Sequence, residues 1–188
     1  MHVTDQVLVD TALSLGATRA AVIDPADIDI NEEIRAICSS NGCGQYGTNW
    51  GCPPGVGELD VLRARVRSYR KGLLFQCVSA LEDSFDLEGM AEAGARHART
   101  VADLAARCRG EFGMTPILPL GAGGCTLCKR CAYLDGKPCI RPEEAASSVE
   151  AYGMHVPNLL ALAGMTYNNG VNTVSYVGLI LYDRMPDA

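Results

Sequence analysis

The chain has 188 residues, 48% of them hydrophobic and 20% charged, which is an ordinary globular composition with enough apolar content for one substantial core. Sixteen basic against 22 acidic side chains leave a formal charge of −6, and no Lys/Arg patch offers itself to phosphates, so nucleic acid is disfavoured as a partner. No stretch approaches the roughly 20 apolar residues that span a bilayer, and Met1-His2-Val3-Thr4-Asp5 lacks the basic start and apolar run of a signal peptide. A cytoplasmic protein without a membrane partner is expected, and there nine cysteines point to metal or redox chemistry rather than disulfides.

Residues 4–15 carry apolar side chains at helical spacing behind a Thr or Asp cap, with Gly16 as the stop. Ala20–Ile23 reads as a short buried strand ending at Asp24-Pro25, and 31–38 as a helix entering a Gly-, Asn- and Pro-rich loop from Cys38 to Gly57. A helix over 58–70 leads into the strand Gly72–Val78, and Leu87–Arg109 is the longest helical segment. Thr115–Leu120 reads as a strand, with Pro116 and Pro119 placing it at a sheet edge. It empties into Gly121-Ala122-Gly123-Gly124 and a second cysteine loop; 143–152 and 157–163 then read as helices, and Thr173–Tyr182 as a closing strand. The alternation predicts an α/β or α+β fold: one domain over 1–188, with four to five strands covered by helices and two cysteine-rich loops.

The strongest chemical signal is Cys125, Cys128 and Cys131 at successive Cys-x2-Cys spacing, with Cys139 closing the set. Such a run turns three thiolates toward one [4Fe–4S] cube and supplies a fourth on the return. The spacing departs from the ferredoxin run, which has three residues before its last cysteine where this chain has seven. Zinc sites favour paired knuckles across a longer span, which fits this spacing less well. Cys38, Cys43 and Cys52 form a second set, within a loop holding the only Trp, Trp50, followed by Pro53-Pro54. They predict a second cluster whose remaining iron would take Cys77, Cys108, a non-cysteine ligand, water or substrate; zinc, redox thiols or plain structure are the competing readings. Cys77 falls in a strand and Cys108 in a helix, where small buried side chains are the simpler reading.

Three further groups attract notice. His155 reads as a helix-capping histidine that would otherwise serve as proton donor or outlying ligand, and His97 as a solvated residue of the long helix. Lys129, Arg130, Lys137 and Arg141 make the second loop locally basic, either raising a cluster's potential and attracting an anionic substrate or partner, or simply balancing four thiolates. Tyr46, Trp50 and Tyr133 line a pocket, shield clusters from water or simply fill space.

Taken together, Cys-x4-Cys-x2-Tyr-Gly…Trp-x-Cys-Pro-Pro, Gly-Cys-x2-Cys-x2-Cys-Ala…Gly-x-Pro-Cys and Ser-x-Glu-Ala-x-Gly resemble a prokaryotic family of predicted metal-binding proteins, a domain of unknown function, from about Cys38 to the last strand. The resemblance implies a metal role for Cys38, Cys43, Cys52, Cys125, Cys128, Cys131 and Cys139 and names no substrate. Three functions follow as expectations. The first is an iron–sulfur protein with one or two [4Fe–4S] clusters relaying electrons to a partner protein. The second is a cluster-dependent enzyme of dehydratase, desulfidase or reductase type, using an open iron over Cys38, Cys43 and Cys52 on a small molecule. The third is a zinc-stabilised adaptor.

Overall fold

The computed structural model describes residues 3–183, so His2 lies outside the described residues. Helix α1 (Asp5–Ser14) starts where Thr4 Oγ1 accepts from the Val7 amide, and turns Leu8, Thr11 and Ala12 inward. It leads into β1 (Arg19–Ile23). Helix α2 (Glu32–Ile37), capped by the Asn31 side chain on the Ile34 amide, then opens the first cysteine loop, and α3 (Leu59–Arg67) follows it. Strand β2 (Lys71–Ala80) precedes the long α4 (Leu87–Gly110), which returns to β3 (Ile117–Gly121). After the second cysteine loop come the two-residue β4 (Ser147–Ser148), α5 (Val156–Ala161) and β5 (Thr173–Tyr182).

The five strands form one mixed sheet in the order β1-β2-β5-β3-β4, antiparallel except for the β3–β4 pair. The expected α/β class, with five strands covered by helices, is what the chain adopts. Alternation along β2 and β5 explains the three layers. Leu73, Phe75, Cys77, Ile180 and Tyr182 join the core under α1 and α4, whereas Leu74, Val177, Leu179 and Leu181 join the opposite core with α3 and α5. Gly178 sits opposite Phe75 in the β2–β5 register, and a Cβ there would fall 2.2 Å from the Phe75 ring, so the ring lies across the bare backbone. No described helix is long and apolar enough to cross a membrane.

Four sequence expectations need correction. Residues 143–152 are not a helix: Ser147 and Ser148 pair with Leu120 and Gly121, and only a short 3-10 turn, Glu150–Tyr152, follows. The Glu-Glu-Ala-Ala stretch has helical propensity, but it forms a turn that leads into the sheet pairing at Ser147 and Ser148. β1 is a half-exposed edge rather than a buried strand, since β2 is its single neighbour. β3 is paired on both sides, over Ile117–Leu120 with β5, while β4 reaches only Leu120 and Gly121 and leaves the side of Pro119 uncovered. His97 is 1% exposed: it shares the inward stripe of α4 with Ala93, Val101, Leu104 and Cys108. Burial there lowers its pKa to about 4, against a smaller opposing effect from the Val177 carbonyl.

Candidate metal centre

The first cysteine loop is held by its own small polar residues. Asn41 takes a left-handed backbone and its side chain accepts from the Tyr46 amide at 2.9 Å. Gly47 donates to the Pro53 carbonyl at 2.8 Å, closing the loop across its base. Asn49, 3% exposed, accepts from the Gly51 amide at 2.9 Å and donates to Thr48 Oγ1 at 3.1 Å and Gln45 Oε1 at 3.3 Å. This network orders the stretch between Cys43 and Cys52, leaving Cys43 exposed, Cys38 half-buried and Cys52 buried. The Arg35 guanidinium donates to the Ala151 carbonyl and, at 2.6 Å, to that of Gly57. It thus ties α2 and Cys38 to the turn that carries Glu150.

The second loop leaves the carboxyl end of β3 through Gly123, whose φ of +74° suits glycine alone. Cys125, Cys128 and Cys131 follow without regular structure, and a 3-10 turn, Ala132–Asp135, carries the chain round to Cys139. Two of the four basic side chains are paired: Arg130 with Asp135 at 2.8 Å, and Arg141 with Glu144. Arg141 also donates to the Leu127 carbonyl at 3.3 Å. The Arg130 and Arg141 guanidiniums are held above their ordinary values by these carboxylates, and Arg141 also by Cys128 and Cys125.

The two loops meet. A Cβ on Gly51 would lie 3.5 Å from Cys125 Cβ, and one on Gly55 2.8 Å from the Tyr133 ring. Gly124 faces Gln45 so closely that a Cβ would fall 2.3 Å from its Oε1. Trp50, in the first loop, sets its ring edge-to-face on Tyr133 with centroids 5.0 Å apart, and its indole N–H donates to the Lys137 carbonyl at 2.9 Å. Of the three aromatic residues noted in the sequence, Trp50 and Tyr133 therefore form the seam between the loops, and Tyr46 stands elsewhere.

The cysteines divide between two adjoining cavities. Cys125, Cys128, Cys131 and Cys139 line one of about 180 Å³, walled by Trp50, Gly51, Arg141 and Pro142. Cys38, Cys43 and Cys52 line another of about 500 Å³, together with Glu150 and His155. His155 occupies the N-cap position of α5, but its side chain makes no capping bond and borders this cavity instead. Cys77 and Cys108 line neither cavity: they are buried in the core beneath α4, where Cys77 Sγ lies 3.4 Å from His97 Nδ1. Among the described residues no three His, Cys, Asp or Glu donors converge as they would on a single metal ion.

Electrostatics bind the sets together. Burial is the main reason the Cys38, Cys52 and Cys125 thiols are raised above their ordinary value. Their neighbours raise them further: Cys43 acts on Cys38, Cys43, Cys38 and Cys125 act on Cys52, and Cys131, Cys139 and Cys128 act on Cys125. Arg35 opposes the shift at Cys38, and the Asn49 hydrogen bond opposes it at Cys52. Thiols raised in this way favour the protonated form, and a metal bound by them would displace their protons. Gln45, Asn49, Gly51 and Gly55 escaped the sequence reading. The only signal was the density of Gly and Asn, which marks an irregular loop without saying what it approaches.

A mixed sheet with two thiol-lined cavities at the meeting of two irregular loops defines a cysteine-rich α/β protein. The chain belongs to the family described as Predicted metal-binding protein (DUF2284), which matches residues 21–182. Neither the curated proteins nor the solved structures include a chain that matches it.

Proposed function

We propose that this is an iron–sulfur protein carrying two [4Fe–4S] clusters and exchanging single electrons with a partner protein. The observation that carries the reading is the donor set of the smaller cavity, where among the described residues four cysteines and no His, Asp or Glu line the wall. Four thiolates saturate the irons of one cluster, the condition suited to electron transfer. A zinc ion would draw its sulfurs to about 2.3 Å from one point, whereas these four thiols line the walls of a cavity of about 180 Å³. When bound, such a cluster supplies reversible one-electron chemistry.

The surrounding residues fit that task. Arg141 places positive charge beside Cys125 and Cys128, and Lys129 and Lys137 lie on the same loop. Trp50 and Tyr133 cover the seam on the side of the first loop. Cys38, Cys43 and Cys52 would hold the second cluster. Cys77 and Cys108 lie in the core beneath α4 and do not line this cavity, which supports a non-cysteine ligand, water or substrate on the remaining iron. Gly51 leaves room for Cys125, and Cys125 acts electrostatically on Cys52, which supports a relay between the two thiol sets.

A second reading is favoured by the cavity above Cys38, Cys43 and Cys52: cluster-dependent catalysis at an open iron, with His155 and Glu150 as the titratable groups at hand. Anaerobic purification followed by visible and electron paramagnetic resonance spectroscopy tests the main proposal. A brown protein whose colour bleaches and returns on reduction and reoxidation is expected. A colourless protein containing zinc would overturn it.

A further inference from the structure

The larger cavity has properties that electron relay does not use. Its volume of about 500 Å³ falls in the range of small-molecule sites, about 300–1,000 Å³. Its walls are mainly apolar, with Ile34, Met154 and Val156 inside. Ile37, Tyr46 and Tyr167, which are 65%, 38% and 51% exposed, stand at its opening. Scattered exposed apolar side chains are ordinary, but three gathered on one concave opening mark a surface that gains by being covered.

The charge of the same walls narrows what can enter. Among the described residues no Lys or Arg lines the cavity, and the nearby Arg35 is committed to the carbonyls of Ala151 and Gly57. The ionisable groups on the wall are Glu150, the three cysteines, His155 and the phenols of Tyr46 and Tyr167. With no Lys or Arg on its wall and the Glu150 carboxyl among its polar groups, the cavity offers an anion no cationic side chain to pair with. A hydroxyl or carbonyl would find a hydrogen-bonding partner in the His155 imidazole.

We propose that the cavity over Cys38, Cys43 and Cys52 binds a small uncharged molecule with an apolar body. The inference rests on the two-cluster reading for what the three cysteines hold, while the apolar walls stand without it. The ligand's body covers Ile34, Ile37, Met154 and Tyr167, and its single polar group faces the cysteines and His155.

Isothermal titration calorimetry on the anaerobically purified holoprotein, with iron counted in the same sample, tests this. The probes are 1-butanol to 1-octanol and the matching n-alkanoates. Affinity for the alkanols is expected to rise roughly fourfold per methylene, the factor equivalent to about 0.8 kcal/mol, and each alkanoate to bind more weakly than the alkanol of equal length. Ile37→Ser, a change at an exposed position, is expected to weaken 1-octanol binding several-fold. Val171→Ser, at an 89% exposed position outside the cavity, should leave it unchanged. Affinity independent of chain length, alkanoates binding as tightly as alkanols, or an Ile37→Ser variant with unchanged 1-octanol affinity would each overturn the inference. A chain-length series that holds in protein with only about four irons would support the binding site while overturning the second cluster.

Discussion

Gly55→Ala tests whether the two cysteine loops are held as one unit. Gly55 does not adopt a positive φ, so alanine brings no backbone penalty there. Its Cβ would instead fall 2.7 Å from the Asn49 carbonyl oxygen and 2.8 Å from the Tyr133 ring. Neither neighbour yields easily. The carbonyl belongs to the ordered stretch between Gln45 and Cys52, and the ring is packed edge-to-face on Trp50. Overpacking of this kind costs about 1–3 kcal/mol. At about 2–4 °C per kcal/mol for a chain of this size, the expected fall in melting temperature is about 2–12 °C. Gly124→Ala is the contrasting case. Its Cβ would strike only the Gln45 side chain, which can swing aside at the expense of its 3.3 Å contact with Asn49, a loss of about 1 kcal/mol. Differential scanning fluorimetry of the two variants beside wild type, under anaerobic conditions, reads the difference. Gly55→Ala should melt lower than Gly124→Ala and lose iron faster to a chelator. A Gly55→Ala protein that melts with wild type and keeps its iron would refute the shared seam.

Other outcomes follow from the same geometry. The His97 pKa is lowered from 6.5 to about 4, so its contribution to stability is complete above about pH 6.5 and is lost as pH falls toward 4. Denaturant unfolding at pH 7 and 4.5 should show wild type losing roughly 2–3 kcal/mol more than His97→Phe over that interval, and equal losses would contradict the buried neutral imidazole. Cys77→Ala and Cys108→Ala should leave the iron content unchanged while lowering the melting temperature, because both thiols serve the core beneath α4. Arg141→Glu should move the midpoint potential of the cluster at Cys125 to more negative values in a redox titration, since it replaces the positive charge beside Cys125 and Cys128.

Periodicity carried the regular elements well because each had a one-sided apolar pattern. The stripe Ala93, His97, Val101, Leu104, Cys108 was present in the sequence of α4, yet His97 was assigned by its polarity instead of its register. Strand β5 was legible residue for residue, since its alternation is also its burial on two faces. Residues 143–152 differ for the opposite reason: their local propensity is helical, but Ser147 and Ser148 pair with β3, and the flanking residues turn into and out of that pairing. At the site, spacing separated the two cysteine sets, and the structure assigns each set its own cavity. The seam was not legible, because Gly51, Gly55 and Gly124 matter through the side chains they leave room for. The apolar walls above Cys38, Cys43 and Cys52 were also hidden, being drawn from α2, the turn before α5 and the segment after it.

The central claim, two iron–sulfur clusters on two separate thiol sets, is tested most directly by counting iron and acid-labile sulfide in anaerobically reconstituted wild type, Cys131→Ala and Cys52→Ala. The account predicts about eight irons and eight sulfides per wild-type chain, falling to about four in each variant. About four irons in wild type, unchanged by Cys52→Ala, would contradict the second cluster, and zinc in place of iron would contradict both.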